Sequence, residues 1–311
     1  MSQAQAQPVR NSQGSLGFVI NFLSGGLSGI IAKTTTAPIE RIKLLLQTQH
    51  ENKKVLRPYK GIGDCFTRTL TEEGVLAFWR GNTANIIRYF PTQALNFAFK
   101  EIYRDFLLPK KSESKTSASV VLANLMAGGL AGSTSTLFVY PLDMARTRLG
   151  VDIGKNPSER QFRGVFDCIS KIHRNDGFRG LYKGLGMSLF GIFMYRGLYF
   201  GTYDSGKSVV INPETSTFLQ KFFFAQACVI FSESLSYPTD TIKRKLMLQA
   251  ANKEALYTGA FDCIKKVMKA EGIKGFFRGN LSNVFRSVGS SLCLVLYDEM
   301  KRHSDKYAAS Y

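Results

Sequence analysis

Proline, one residue, an acid, two residues and a base recur three times in this chain: Pro38-Ile39-Glu40-Arg41-Ile42-Lys43, Pro141-Leu142-Asp143-Met144-Ala145-Arg146 and Pro238-Thr239-Asp240-Thr241-Ile242-Lys243. The copies lie roughly a hundred residues apart, and self-similarity at that period makes the 311-residue chain a tandem triplication. Any local feature must therefore be read together with its two counterparts.

The same succession surrounds each proline. An apolar stretch rich in small residues leads in (Leu16 to Ala37, Val120 to Tyr140, Phe218 to Tyr237), and a basic helical segment follows. Then come aromatic-x-glycine elements ending at Gly61, Gly164 and Gly259. An amphipathic segment leads on to acid-Gly (Glu73-Gly74, Asp176-Gly177, Glu271-Gly272) and to an aromatic-basic-Gly triplet ending at Gly81, Gly184 and Gly279. A second long segment closes each unit with an acid and, three residues on, a base: Glu101 and Arg104, Asp204 and Lys207, Asp298 and Lys301. The expected organisation is a polar tail over 1–14, repeats over 15–110, 118–210 and 216–303, and a short tail over 304–311. The coarse reading is six long helices and three short ones.

A mean hydropathy of −0.07 and charges at mid-segment depth disfavour a bundle facing lipid on all sides. They suit helices with one face in lipid and the other on a wet cavity. Gly25, Gly26 and Gly29, matched by Gly128, Gly129 and Gly132, give small-residue faces that allow close helix approach. The third repeat has Ala225, Ala227 and Cys228 instead, so its packing should differ.

A net charge of +18 calls for an anionic partner. The basic residues are spread through every repeat, flanking apolar spans, which points to lipid and small polyphosphates and not to nucleic acid. Three of the five cysteines, Cys65, Cys168 and Cys263, are repeat equivalents, so triplication explains their spacing and a structural role is expected. The histidines, His50, His173 and His303, are scattered, and no metal site is expected. Residues 1–14 resemble neither a secretory signal nor a basic presequence, so targeting information is expected to be internal. No phosphate-binding loop or nucleophile elbow appears, so an enzyme is not expected.

The triplicated motifs resemble the mitochondrial carrier family over essentially the whole chain. Lys33, Gln47, the run from Asn85 to Lys100 and the run Leu294 to Glu299 are similar to its ADP/ATP carriers. One departure stands out: those carriers have three arginines followed by three methionines where this chain reads Lys243-Arg244-Lys245-Leu246-Met247-Leu248. The resemblance implies an all-α membrane protein, a threefold pseudo-symmetric bundle of six transmembrane helices with three short amphipathic helices on the matrix side. It also implies a mitochondrial inner membrane location, or that of a mitochondrion-derived organelle, and a functional monomer without cofactor but with structural cardiolipin. ADP and ATP are the expected substrates; a relative moving AMP, ATP-Mg, phosphate or coenzyme A is the alternative.

Proline removes a helix hydrogen bond, and acid and base three apart share a helix face. Six such charges can close a ring, by resemblance a matrix gate of Glu40 with Arg146, Asp143 with Lys243 and Asp240 with Lys43, with Gln47 beside it. Glu101 with Lys207, Asp204 with Lys301 and Asp298 with Arg104 would close the cytoplasmic end. Charges snorkelling to an interface would explain a base at a helix end, but not an acid with a base three residues on in all six segments. Two gates about one site give alternating access.

Substrate contacts are expected from Lys33, Arg88 and Arg286, cations suited to a polyphosphate. By resemblance the Gly191-Ile192 pair is a further contact point, Tyr195 stacks on the base, and Ser236 and Asn96 add hydrogen bonds. Gly61, Gly81, Gly164, Gly184, Gly259 and Gly279 belong to elements like the family's cardiolipin clamps; turn formation is their simpler explanation. Glu233 falls at the repeat position of Lys33, where the resembling carriers are small and neutral. It is expected to pair with Lys33 or to take up a proton with the more charged nucleotide.

Overall fold

The computed structural model describes residues 15–107, 117–210, 217–250 and 256–291. Its long helices are α1 (Ser15–Thr48), α3 (Asn82–Leu107), α4 (Ser117–Gly150), α6 (Leu185–Val210), α7 (Phe218–Leu248) and α10, of which residues 280–291 are described. Between them lie the short helices α2 (Ile62–Arg68), α5 (Val165–Leu181), α8 (Ala260–Glu271) and α9 (Ile273–Phe276). The described structure is helical, with no strand among the described residues. None of its helices is both long and apolar enough to cross a membrane unaided.

α3 packs on α4 and α6 on α7, and α1, α4 and α7 meet one another pairwise. Those last three are the helices that carry Pro38, Pro141 and Pro238 within them. Two side chains explain the glycine face of α4. An added Cβ at Gly128 would meet the Arg196 guanidinium at 2.6 Å, and one at Gly129 would meet the Phe193 ring at 2.8 Å. On α1 the matching spaces are filled by Phe90 against Gly26 and Tyr89 against Gly29. On α7 the larger Cys228 and Val229 are buried instead.

The short helices are joined to the long ones by a device repeated three times. The acid of each acid-Gly pair binds the base of the triplet seven residues on: Glu73 with Arg80, Asp176 with Lys183 at 2.7 Å, and Glu271 with Arg278 at 3.5 Å. The triplet glycines then take φ of +82° to +85°, a region open to glycine. Each abuts a backbone carbonyl of the next proline motif: Cβ atoms at Gly81, Gly184 and Gly279 would lie 2.9 to 3.1 Å from the oxygens of Arg146, Lys243 and Lys43. The starts of α3, α6 and α10 are thereby locked to the charged halves of α4, α7 and α1, respectively.

Under these junctions sit three apolar clusters, around Cys168, Cys65 and Cys263, whose side chains have no solvent exposure. Burial pushes each of these thiols up to about 12.

Candidate functional site

Where the three proline-bearing helices converge, their charges form a closed ring. Arg146 of α4 donates to Glu40 of α1, Lys243 of α7 binds Asp143 of α4 at 2.6 Å, and Lys43 of α1 binds Asp240 of α7 at 2.8 Å. Two of the pairs join residues 106 and 100 positions apart and the third closes the ring across 197, so that each acid meets the base of its cyclic neighbour. Gln47 Nε2 braces one join, donating to Asp240 at 3.3 Å and to the Thr241 hydroxyl at 3.0 Å. Lys43 and Lys243 lie over the rings of Tyr237 and Tyr140, 5.1 and 5.5 Å from their centroids.

The departing run adds to this ring. Arg244 approaches both Asp240 at 3.3 Å and Asp143 at 3.7 Å, so one guanidinium spans two of the three pairs. Lys245 turns outward from the ring and is 1 % exposed, held between Glu51 at 2.5 Å and Glu271 at 2.7 Å. It ties α7 to the end of α8, and Tyr257 donates to the same Glu51.

Beside the ring lies a cavity of about 270 Å³ lined by residues of α6, α7 and α10. Gly191, Ile192, Tyr195, Ser236 and Arg286 border it, as do Lys43 and Asp240 of the ring. Gly191 keeps this wall thin, since a Cβ there would come 2.8 Å from the Thr239 hydroxyl. Tyr195 stacks on Tyr199 along its own helix. The Ser236 hydroxyl donates to the Ser232 carbonyl at 2.7 Å, so only its lone pairs face the cavity.

Arg88 of α3 stands 3.8 Å from Asp143, and its Nε has no hydrogen-bond partner. Asn96 lies higher on α3 with an unpartnered buried Oδ1. Lys33 Nζ lies over the Tyr89 ring, 5.7 Å from its centroid. Glu233 does not meet Lys33, as repeat equivalence suggested. Its carboxylate binds Arg286 at 3.0 Å and accepts from Asn283 Nδ2 at 3.0 Å. Equal depth in the repeat fixes height along the helix, whereas the partner is set by which helix lies alongside, and α10 lies alongside α7 here.

At the opposite end, Glu101 and Arg104 are exposed on α3, Arg104 lying 3.8 Å from Asp105. Asp298 and Lys301 lie outside the described residues, as do the side chains of Asp204 and Lys207. Gly61, Gly164 and Gly259 precede α2, α5 and α8 with extended backbone and open space where a Cβ would stand. Sequence reasoning missed Asn85, which donates to Glu40 at 3.3 Å, and Asn283, which accepts from Lys43 at 3.0 Å. Their signal was present: both follow a triplet glycine by four residues.

A family model described as mitochondrial carrier protein matches residues 14–111, 117–214 and 214–307. The chain belongs to the mitochondrial carrier family. This carrier is 51 % identical over 283 residues to ADP/ATP translocase 4 of Bos taurus, covering 90 % of this chain and 88 % of the relative. Against the human protein of that name the identity is also 51 %, covering 90 % of each chain. ADP/ATP translocase 3 of Bos taurus is 49 % identical over 292 residues, covering 93 % of this carrier and 98 % of the relative.

Proposed function

We propose that this carrier is an antiporter exchanging ADP for ATP across an organelle inner membrane, through one central site reached alternately from either side. The observation that carries the reading is the junction of a closed charge ring with a cation-bordered cavity. Around Lys33, Arg88 and Arg286 the phosphates of a nucleotide would find charge-assisted donors. Gly191 and Ile192 would let the adenine approach the α6 wall, and Tyr195 would stack on it.

The bundle is read as six membrane-spanning helices, whose lipid-facing stripes and cavity-facing charges together explain why no single helix is uniformly apolar. With the ring closed, the site would be reached from the end that bears Glu101 and Arg104, and we assign that end to the cytoplasmic side. Nucleotide phosphate drawn to Arg88 would compete with its 3.8 Å approach to Asp143, loosening the ring from above. Buried ion pairs return little net free energy after desolvation, so a ring of them is strong enough to seal and weak enough to reopen each cycle. The second gate, Glu101 with Lys207, Asp204 with Lys301 and Asp298 with Arg104, would then close.

Cardiolipin is the proposed structural lipid. The open, extended backbone at Gly61, Gly164 and Gly259 leaves amides unobstructed for a phosphate. An apolar cleft of about 340 Å³, lined by Ile39, Ile42, Ile62 and Phe285, lies beside the first of them and would take an acyl chain. The carrier is proposed to act as a monomer, since one chain supplies the whole ring.

Uptake of labelled ADP into liposomes tests the exchange. Vesicles loaded with ADP or ATP should take up label, and vesicles without nucleotide should take up almost none. Unlabelled ADP and ATP should compete where AMP and coenzyme A do not; preferential competition by AMP or coenzyme A would assign the site to another adenine compound.

A further inference from the structure

Arg286 is the cavity cation outside the ring, and it too is engaged by an anion of this chain. Its guanidinium binds Glu233 Oε1 at 3.0 Å, while Nε donates to Asn283 Oδ1 at 3.2 Å. Asn283 Nδ2 in turn donates to the other carboxylate oxygen, Oε2, at 3.0 Å. Both oxygens of Glu233 are therefore occupied, in a geometry that resembles the capture of a phosphate by an arginine and an amide. Arg286 and Glu233 are less than one-fifth exposed, yet both border the cavity.

We infer that Glu233 is a resident anion that occupies Arg286 when no nucleotide is bound and must be displaced by substrate phosphate. This deepens the proposed exchange and rests on that reading of the cavity. A buried arginine without a counter-charge is costly, and Glu233 removes that cost from the empty carrier. The same pairing means that phosphate exchanges one anionic partner of Arg286 for another instead of filling a vacant site, so Glu233 weakens ground-state binding. Weaker binding of a nucleotide that must leave on the far side favours turnover, because binding shared equally by all states does not lower the barrier to crossing.

The geometry also gives the displacement a consequence. Asn283 Oδ1 accepts from Lys43 at 3.0 Å as well as from Arg286. One amide therefore spans Glu233, the cavity arginine and a lysine of the ring. When phosphate draws Arg286 away, Asn283 Oδ1 loses one of its two donors and is left to Lys43 alone, so its hold on Lys43 changes.

The test compares the wild type, Glu233→Gln and Arg286→Ala by ADP uptake into ADP-loaded liposomes and by thermal stability with and without ADP. Glutamine keeps the shape and the acceptor oxygen but removes the charge. Glu233→Gln should lower the KM for ADP roughly tenfold, the scale of one charge-assisted contact released to the substrate, with kcat unchanged or reduced. It should also lower the melting temperature of the nucleotide-free carrier and enlarge the rise that ADP produces. A KM that is unchanged or increased overturns the inference and makes Glu233 a strut that positions Arg286. If Glu233→Gln does not fold, Glu233→Asp, which keeps the charge on a shorter arm, takes its place. A lowered KM with it supports displacement, and an unchanged or raised one overturns it. Arg286→Ala separates the two levels of the argument: retained exchange there removes the site itself, whereas lost exchange with an unchanged KM in Glu233→Gln removes only the resident anion.

Discussion

Arg146 of α4 donates a hydrogen bond to Glu40 of α1, joining residues 106 positions apart in the chain. Pairing across that distance follows from threefold closure, in which the acid of one repeat meets the base of the next. Because the pair depends on opposite sign and not on which helix bears which charge, it can be inverted. Glu40→Arg would face Arg146 with a second cation at cost of about 3 to 5 kcal/mol and should disable exchange. Adding Arg146→Glu should recover part of the transport, measured as a double-mutant cycle on ADP uptake. Independent effects at the two positions would exclude the ring as a gate.

Arg88, beside the ring, and Arg286, on the cavity wall, should matter to transport more than to folding. On the proposed reading Arg88→Ala and Arg286→Ala would each remove a phosphate contact worth about 1.5 to 3 kcal/mol, and each should abolish exchange while the purified protein still melts cooperatively. Near wild-type transport by either variant would place the nucleotide elsewhere.

Glycines that look alike in the sequence should part company on mutation. Gly184 has φ of +85° and would bring a Cβ to 2.9 Å from the Lys243 carbonyl, so Gly184→Ala should lower stability by about 1 to 3 kcal/mol in any detergent. Gly164 is extended and open. Gly164→Ala should melt with the wild type in lipid-free detergent and lose part of the stabilisation gained from added cardiolipin. Equal cardiolipin stabilisation in the two proteins would remove Gly164 from a lipid site.

Much of this arrangement was legible in the sequence, for an identifiable reason. A triplicated motif tests itself: Glu40, Asp143 and Asp240 occupy one repeat position, and a closed bundle of three leaves two cyclic ways to pair them with Arg146, Lys243 and Lys43, of which the family resemblance implied the one found. Where the three copies differ, that check is absent. Glu233 shares its position with Lys33 but not its surroundings, and Arg286, on the neighbouring α10, was the partner that repeat alignment could not name. Arg196 was overlooked because the space it fills belongs to Gly128, far away in the chain. The seven-residue interval from Glu73 to Arg80, kept in all three repeats, was visible as a spacing; its meaning as an ion pair needed the intervening turn.

The repeat cysteines give a pH prediction. Each thiol of Cys65, Cys168 and Cys263 is pushed up from 9.0 to about 12 by burial. The folded state therefore holds these protons more tightly than the unfolded one. Stability from this source is complete below about pH 9 and declines as pH rises from there toward 12. Replacing all three by alanine should flatten that alkaline decline in thermal melts. In the native carrier, iodoacetamide should label these positions no faster at pH 9 than at pH 7, and rapid native labelling would contradict their burial.

Membrane potential provides the last prediction. Exchange of ATP with four charges for ADP with three moves one net charge, biased by about 2.3 kcal/mol per 100 mV, provided the charge of the cavity is the same in both half-cycles. Glu233 is the cavity carboxylate positioned to break that condition. When phosphate claims Arg286, Glu233 loses its cation partner beside an incoming polyanion, and one positive charge carried with ATP but not with ADP at this position would cancel the net charge. Exchange should accordingly respond less to voltage than in carriers lacking this acid, and Glu233→Gly should increase the response. ATP-for-ADP exchange in liposomes under an imposed potassium diffusion potential measures both. An unchanged voltage response in Glu233→Gly would mean that the carboxylate keeps its charge through both half-cycles, and its influence would then be confined to how tightly the nucleotide is held.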